Sequence, residues 1–295
     1  MALSKYEVIS TLLTGEEDVE EAFQRLDAKQ DLVSGNRSNL FAQGFFVKYP
    51  FKPDDSEKYQ NAVNEVMIAD EWEKKPLIAI SERTKGLDWK ASTKTRFVKV
   101  LHWAGNYMWK NTSESKHFNA KSRFIVGDDV LWVSIPFEVK AFINKNLQQT
   151  KGVAREDRLK QYFGMPLSAE KIGFLEIWVE EKDLFRPTPD REIFDDEAEL
   201  DFRPEDLTFQ KKDETNMTRT EKRDKEHYDW MTKLAKSSYL EKDPLHDNPP
   251  YPWTRLGYTR DWGNDETVQG ASEFCIVPRA RVYIASKIKT DDYGS

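Results

Sequence analysis

The sequence predicts an α+β protein. A mainly helical amino-terminal region covers residues 1–120. Residues 121–295 form an α+β region with a mixed or antiparallel, split β-sheet and flanking helices, as a second unit or as part of one continuous domain. Three observations predict this. Apolar residues recur at helical spacing through the first third, runs of period-2 or continuous apolar residues dominate the second half, and the two kinds of segment interleave without a repeat. Irregular interleaving favours α+β over a doubly wound parallel sheet.

In chain order, "GEEDVEEAFQRLDAKQDLVSG" (15–35) reads as a helix. Val19, Ala22, Phe23, Leu26 and Leu32 share a face, acids crowd its start and Gly35 follows its end. "FAQGFFVKYPF" (41–51) reads as a short buried strand. In "DDSEKYQNAVNEVMIADEW" (54–72), Asp55 or Ser56 caps a helix whose apolar face is Tyr59, Ala62, Val63, Val66 and Met67. "PLIAIS" (76–81) suggests a strand, and "TKTRFVKVLHWAGNYMW" (93–109) a third helix striped by Phe97, Leu101, Ala104 and Met108. "VLWVSI" (130–135) and "FLEIWVEE" (174–181) read as strands on either side of a helix marked by Phe137, Ala141 and Phe142. From Asp190 to Asp206 nine acidic residues face two basic ones, which reads as a solvated loop or inter-lobe connector because like charges at that density stay hydrated. Thr218 and Glu221 form a capping box for a polar helix reaching about Leu240, and a Pro-rich turn, "DPLHDNPPYPW", leads to the last strands. In "GASEFCIVPRARVYI" (270–284), Phe274, Ile276, Ala280, Val282 and Ile284 alternate as one half-buried strand opened by Glu273.

Bulk composition narrows the function. Of 295 residues, 38% are hydrophobic, 33% charged and 13% aromatic, with nine tryptophans, which describes an aromatic core under a charged, soluble surface. A net charge of −7 argues against a phosphate-tracking surface. The single cysteine, Cys275, requires no oxidising compartment and reads as a packed residue rather than a nucleophile. The opening "MALSKYEVISTLLTGEEDVEE" lacks a basic start, and no uncharged run reaches the ~18–20 residues of a membrane span. The expectation is a protein that is cytoplasmic as made, or secreted by a dedicated system, without membrane insertion. Phosphate-loop, dinucleotide-fold, nucleophile-elbow and zinc-helix motifs are missing, and the histidines at 102, 117, 227 and 246 are too scattered to predict a metal site.

The chemistry then concentrates in "YPWTRLGYTRDWGNDETVQGASEFCIVPRARVYI" (251–284). Trp253, Tyr258 and Trp262 stand beside Arg255, Arg260, Asp261 and Glu273. Rings that stack and guanidinium groups that grip phosphate suit a flat, anionic ligand. The plainer expectations are core packing for Tyr258 and Trp262, rim pairing of Arg255 and Arg260 with Asp261 or Asp265, a solvated edge position for Glu273, and a half-buried, hydrogen-bonded His102.

"SEFCIV", with the alternation through "RARVYI", resembles the glutamate-bearing strand of the ADP-ribosyltransferase superfamily, in the form found in diphtheria-toxin-like and poly-ADP-ribose-polymerase-like enzymes. The resemblance covers about fifteen residues. It implies an NAD-binding split sheet in which Glu273 is the catalytic carboxylate that stabilises the oxocarbenium-like ribose as nicotinamide leaves. It further implies that Tyr258 and Trp262 stack on nicotinamide and that Arg255 or Arg260 holds the pyrophosphate of NAD, which is a substrate. The histidine wanted on an early strand would be His102. Ala271 stands where arginine-specific members carry Gln or Glu. The implied protein is a toxin or effector that modifies a macromolecular acceptor, a protein in preference to nucleic acid, with a partner that delivers or neutralises it. The alternatives are a non-enzymatic interaction or structural protein, and a metal-independent ribonuclease toxin using His246 or His102.

Overall fold

The computed structural model describes residues 57–91, 95–115, 123–239, 250–264 and 266–294. The predicted helix over 15–35, the strand over 41–51, His117 and His246 lie outside the described residues. In chain order the elements begin with helix α1 (Glu57–Val66) and strands β1 (Trp89–Ala91) and β2 (Arg96–Ala104). Then come α2 (Asn106–Asn111), β3 (Phe124–Ile125), β4 (Leu131–Val133), α3 (Pro136–Asn146) and α4 (Gly152–Tyr162). The series continues through β5 (Gly173–Glu180), β6 (Leu184–Phe185) and α5 (Arg219–Tyr239). It ends with β7 (Tyr258–Arg260), β8 (Gln269–Ser272), β9 (Phe274–Ile276) and β10 (Arg281–Lys289). The result is a mixed α+β fold with antiparallel sheets. No described helix is long and apolar enough to cross a membrane.

The chain divides into two compact units, Met1–Lys74 with Glu199–Leu256, and Lys75–Ala198 with Gly257–Ser295. β2, in the region expected to be helical, lies in register with β5, from Phe97 opposite Glu180 to Ala104 opposite Gly173.

In the first unit, α1 buries Tyr59, Ala62, Val63 and Val66, four of the five apolar positions read from the sequence. α5 opens with the expected capping box. The Glu221 N–H donates to Thr218 Oγ1 at 3.2 Å and the Thr218 N–H to Glu221 Oε2 at 2.9 Å, satisfying two donors that a helix start leaves open.

The second unit holds a five-stranded sheet in the order β1-β2-β5-β10-β3, a three-stranded sheet β4-β9-β6 and the hairpin β7-β8. Reciprocal 2.8 Å hydrogen bonds between Leu101 and Ser134 tie β2 to the chain just after β4. Val98, Val100, Leu175, Ile177, Phe274 and Ile276 belong to one core cluster, so the larger sheets share a core. Leu101, Trp103 and Phe174 turn to a second cluster with Val139 of α3 and Leu159 of α4. That explains why the helix expected over 93–109 is instead a strand followed by the short α2. Both faces of β2 are buried, and a two-sided apolar strand shows no period-2 pattern.

Three more expectations are corrected. The segment 76–81 is not a strand. It lies against the acidic tract through Leu77 N–H to Asp196 O at 2.8 Å and Ile80 N–H to Ile193 O at 2.6 Å. That tract is more than a solvated loop. Buried Arg186 gathers it, donating to Asp195 Oδ1 at 2.8 Å and to the carbonyls of Asp195 and Glu197 at 2.8 and 2.9 Å. Residues 270–284 are likewise three strands rather than one. β8 pairs with β7, β9 sits between β4 and β6, and β10 joins the large sheet after a turn in which Arg279 takes φ +61°.

Candidate functional site

The break between β8 and β9 is a single residue, Glu273. On its amino-terminal side, Gly270 answers the need for a bare backbone. A Cβ there would lie 2.2 Å from both Thr259 Oγ1 and the Tyr162 carbonyl, so only glycine lets the hairpin lie against the end of α4. Thr259 completes the joint, donating to Tyr162 O at 2.7 Å and accepting the Ala271 N–H at 2.8 Å. The Glu273 N–H donates to Gly257 O at 2.9 Å.

The Glu273 side chain is not on a solvated edge. The residue is 3% exposed, and Oε2 has no hydrogen-bond partner among the described residues. Burial alone pushes its carboxyl up to about 8, so at neutral pH it is mostly the uncharged acid. The fixed negative charge expected from the sequence therefore exists only on the alkaline side.

One position back, Ser272 is held by Glu138, a residue the sequence reading did not single out. Glu138 Oε2 accepts the Ser272 N–H and Oε1 its hydroxyl, each at 3.0 Å. Burial raises the Glu138 carboxyl to about 7, with the two Ser272 bonds opposing that rise. A signal was present: Glu138 stands in the first turn of a helix that begins at Pro136 behind Ile135, which has no capping side chain to pair with it.

Tyr258 lies opposite Ser272 across the hairpin and is 1% exposed. Trp262 is 5% exposed and donates its indole N–H to Met165 O at 3.0 Å. Neither ring offers a face to solvent. Arg260 is half-buried on β7 opposite Gln269. Asp261 pairs not with its neighbouring arginines but with Arg158 of α4, which grips it in a two-pronged contact at 2.9 and 2.7 Å. Arg255 belongs to the first unit. It is 1% exposed and donates to the carbonyls of Val66 and Met67 at 3.5 and 3.0 Å, closing the end of α1. Its guanidinium is used in that core rather than held out for a phosphate.

His102, read as helical, is on β2 opposite Leu175. Its Nδ1 lies 2.9 Å from the Trp132 carbonyl, which assigns the proton to Nδ1 and leaves Nε2 as an acceptor. Burial, then the charge of Lys171, lowers it to about 4, so the ring is neutral at pH 7. Trp132 in turn pairs with Cys275, two residues beyond Glu273. His102 on the five-stranded sheet, Tyr258 on the β7–β8 hairpin and Glu273 at the β8–β9 break all belong to the second unit, whereas Arg255 does not. Cys275 is buried and its thiol is pushed up, first by burial and then by Glu273, which fits a packed residue.

No family model, no curated protein and no solved structure matches this chain.

Proposed function

We propose that the chain is an NAD-consuming enzyme of ADP-ribosyltransferase type, acting as a toxin or effector on a protein acceptor. The observation that carries the reading is Glu273: a buried carboxyl with one oxygen unmatched among the described residues, at a one-residue break between two strands. A group so costly to bury suits chemistry better than packing. In the reaction the bond from ribose C1′ to the nicotinamide nitrogen breaks and its electron pair leaves with nicotinamide. An acceptor nucleophile, or water, then attacks C1′ and loses its proton. Ionised Glu273 would stabilise the positive charge that builds on the ribose, and the low dielectric around it would strengthen that effect. His102 would offer Nε2 as an acceptor, and Arg260 would meet the pyrophosphate. Arg255 and Trp262, engaged by backbone carbonyls, and the buried Tyr258 serve the fold in this reading.

A second reading, a non-enzymatic interaction protein, is favoured by the near-complete burial of Tyr258 and Trp262. Nicotinamide release from NAD, with cell-lysate protein as acceptor, separates the two. The enzyme reading expects release that grows as pH rises through about 8, where Glu273 ionises, and a loss of ~100-fold or more in Glu273→Gln. Absence of release at pH 8.5 overturns the enzyme reading, and an RNA-cleavage assay then separates an interaction protein from a ribonuclease.

A further inference from the structure

We propose, resting on the reading of Glu273 as the reacting carboxylate, that Glu138 is a positioning residue: from the first turn of α3 it clamps Ser272 and thereby fixes where the next side chain is delivered. Both donors of Ser272 are committed to it, the N–H to Oε2 and the hydroxyl to Oε1, each at 3.0 Å. The following N–H, that of Glu273, is held at 2.9 Å by Gly257 O. The peptide between Ser272 and Glu273 is therefore anchored on both sides, by α3 and by the approach to β7. With its backbone pinned, the carboxyl of Glu273 has only its own side-chain torsions left to vary, which is the preorganisation that charge stabilisation requires.

The residue type supports a demanding role. A neutral amide offers one acceptor oxygen, whereas a carboxylate offers two to the two donors of Ser272. That choice is costly in a desolvated place, because burial lifts Glu138 to about 7. The remaining ionisable neighbours are Cys275, which feels Glu273, and Tyr162, whose hydroxyl is pushed up by burial and then by Glu138 and Asp261 against Arg158. None of these takes over the Ser272 contacts.

The test uses the full chain, with nicotinamide release as one readout and the ¹³C titration of the Glu273 carboxyl as the other. Glu138→Gln keeps one acceptor and the shape, Glu138→Ala removes the clamp, and Val139→Ala is a packing control one residue along α3. Expected are a fall in kcat of roughly tenfold for Gln and ~100-fold for Ala, with KM for NAD within about twofold. The Glu273 resonance and its midpoint are expected to move in both Glu138 variants and to stay in place in Val139→Ala. An unchanged Glu273 titration in Glu138→Ala, or an equal displacement in Val139→Ala, overturns the proposal. If the wild type releases no nicotinamide, the enzyme reading fails by itself. Positioning by Glu138 is then decided by the titration alone.

Discussion

Two carboxylates of the second unit lie at similar depth and end in opposite states. Glu176, in the middle of β5, is 7% exposed; Glu273, at the β8–β9 break, is 3% exposed. Glu176 has company. Lys140 Nζ is 2.6 Å from Oε1, Lys99 Nζ is 3.6 Å from Oε2, and the Tyr293 hydroxyl donates to Oε1 at 3.3 Å. Burial pushes Glu176 up, but the Lys140 hydrogen bond and charge, with Lys99, more than reverse it and leave the carboxyl below its ordinary value. Glu273, with no cation beside it among the described residues, rises to about 8. The difference shows what counter-charge does for a buried carboxylate. One carboxylate is structural glue for the sheet, and the other is held as a neutral acid.

The largest expected effect comes from removing the uncompensated acid. A carboxyl at about 8 in the folded chain and 4.5 when unfolded makes the folded state the stronger proton binder between those values. Stability must therefore fall as pH rises from about 4.5 to about 8, by an amount on the order of 4 kcal/mol. Glu273→Gln should escape that loss and be the more stable protein at pH 9 in urea unfolding. The slope left in the variant should include the Glu138 titration, centred near pH 7. A variant that keeps the full wild-type slope to pH 8 would show that Glu273 has a partner and would erase the contrast with Glu176.

The reverse manipulation is smaller. Lys99→Met with Lys140→Met puts Glu176 in the situation of Glu273. Lys140 is partly exposed, so water takes over some of its role, and a loss of about 1–3 kcal/mol at pH 7 is expected. The sign of the pH dependence is the sharper reading. Ionised Glu176 now contributes stability that is present above about 4.5 and lost in acid; in the double variant its contribution should fall as pH rises. If the slope does not change sign, the lysines are not what keeps Glu176 charged.

How much of this was legible in the sequence depended on whether the deciding contact was local. α1 and the Thr218–Glu221 box were readable because a helical face and a capping box are written within a few residues. β2 was misread because burial of both its faces, a tertiary fact, removed the alternation that marks a strand. At the site, Glu273 stood out by its position before an apolar run, yet its burial could not be read there. Its neighbours come from distant parts of the chain: Gly257 O receives its N–H, and Glu138, 134 positions before Ser272, fixes the residue beside it. Arg255 and Asp261 were paired on paper because they are close in sequence, while the fold gave them Met67 and Arg158 instead.

The smallest expected effect asks whether the rule drawn from the carboxylates also holds for a cation. His102 is the mirror case: a base lowered to about 4 from 6.5 by burial first and by the charge of Lys171 second. Its lowered value means that the unfolded chain binds the proton more strongly between pH 6.5 and 4. The stability linked to it is complete above about 6.5 and is lost as pH falls toward 4, opposite in direction to the loss from Glu273. His102→Asn keeps an N–H donor where Nδ1 sits, so the 2.9 Å bond to Trp132 O can survive while the titration disappears. Because the residue is only half-buried, the acid side of the stability curve should then flatten by about 1–2 kcal/mol between pH 7 and pH 4, less than the full shift would give, with little change above pH 7. In the wild type, the ring carbon resonance of His102 should stay at its neutral position until the pH nears 4. A midpoint near 6.5 would mean that water reaches the ring and that burial acts on the carboxylates alone. A midpoint near 4 would place acid and base under one rule, in which a buried group keeps its charge only where an opposite charge lies beside it.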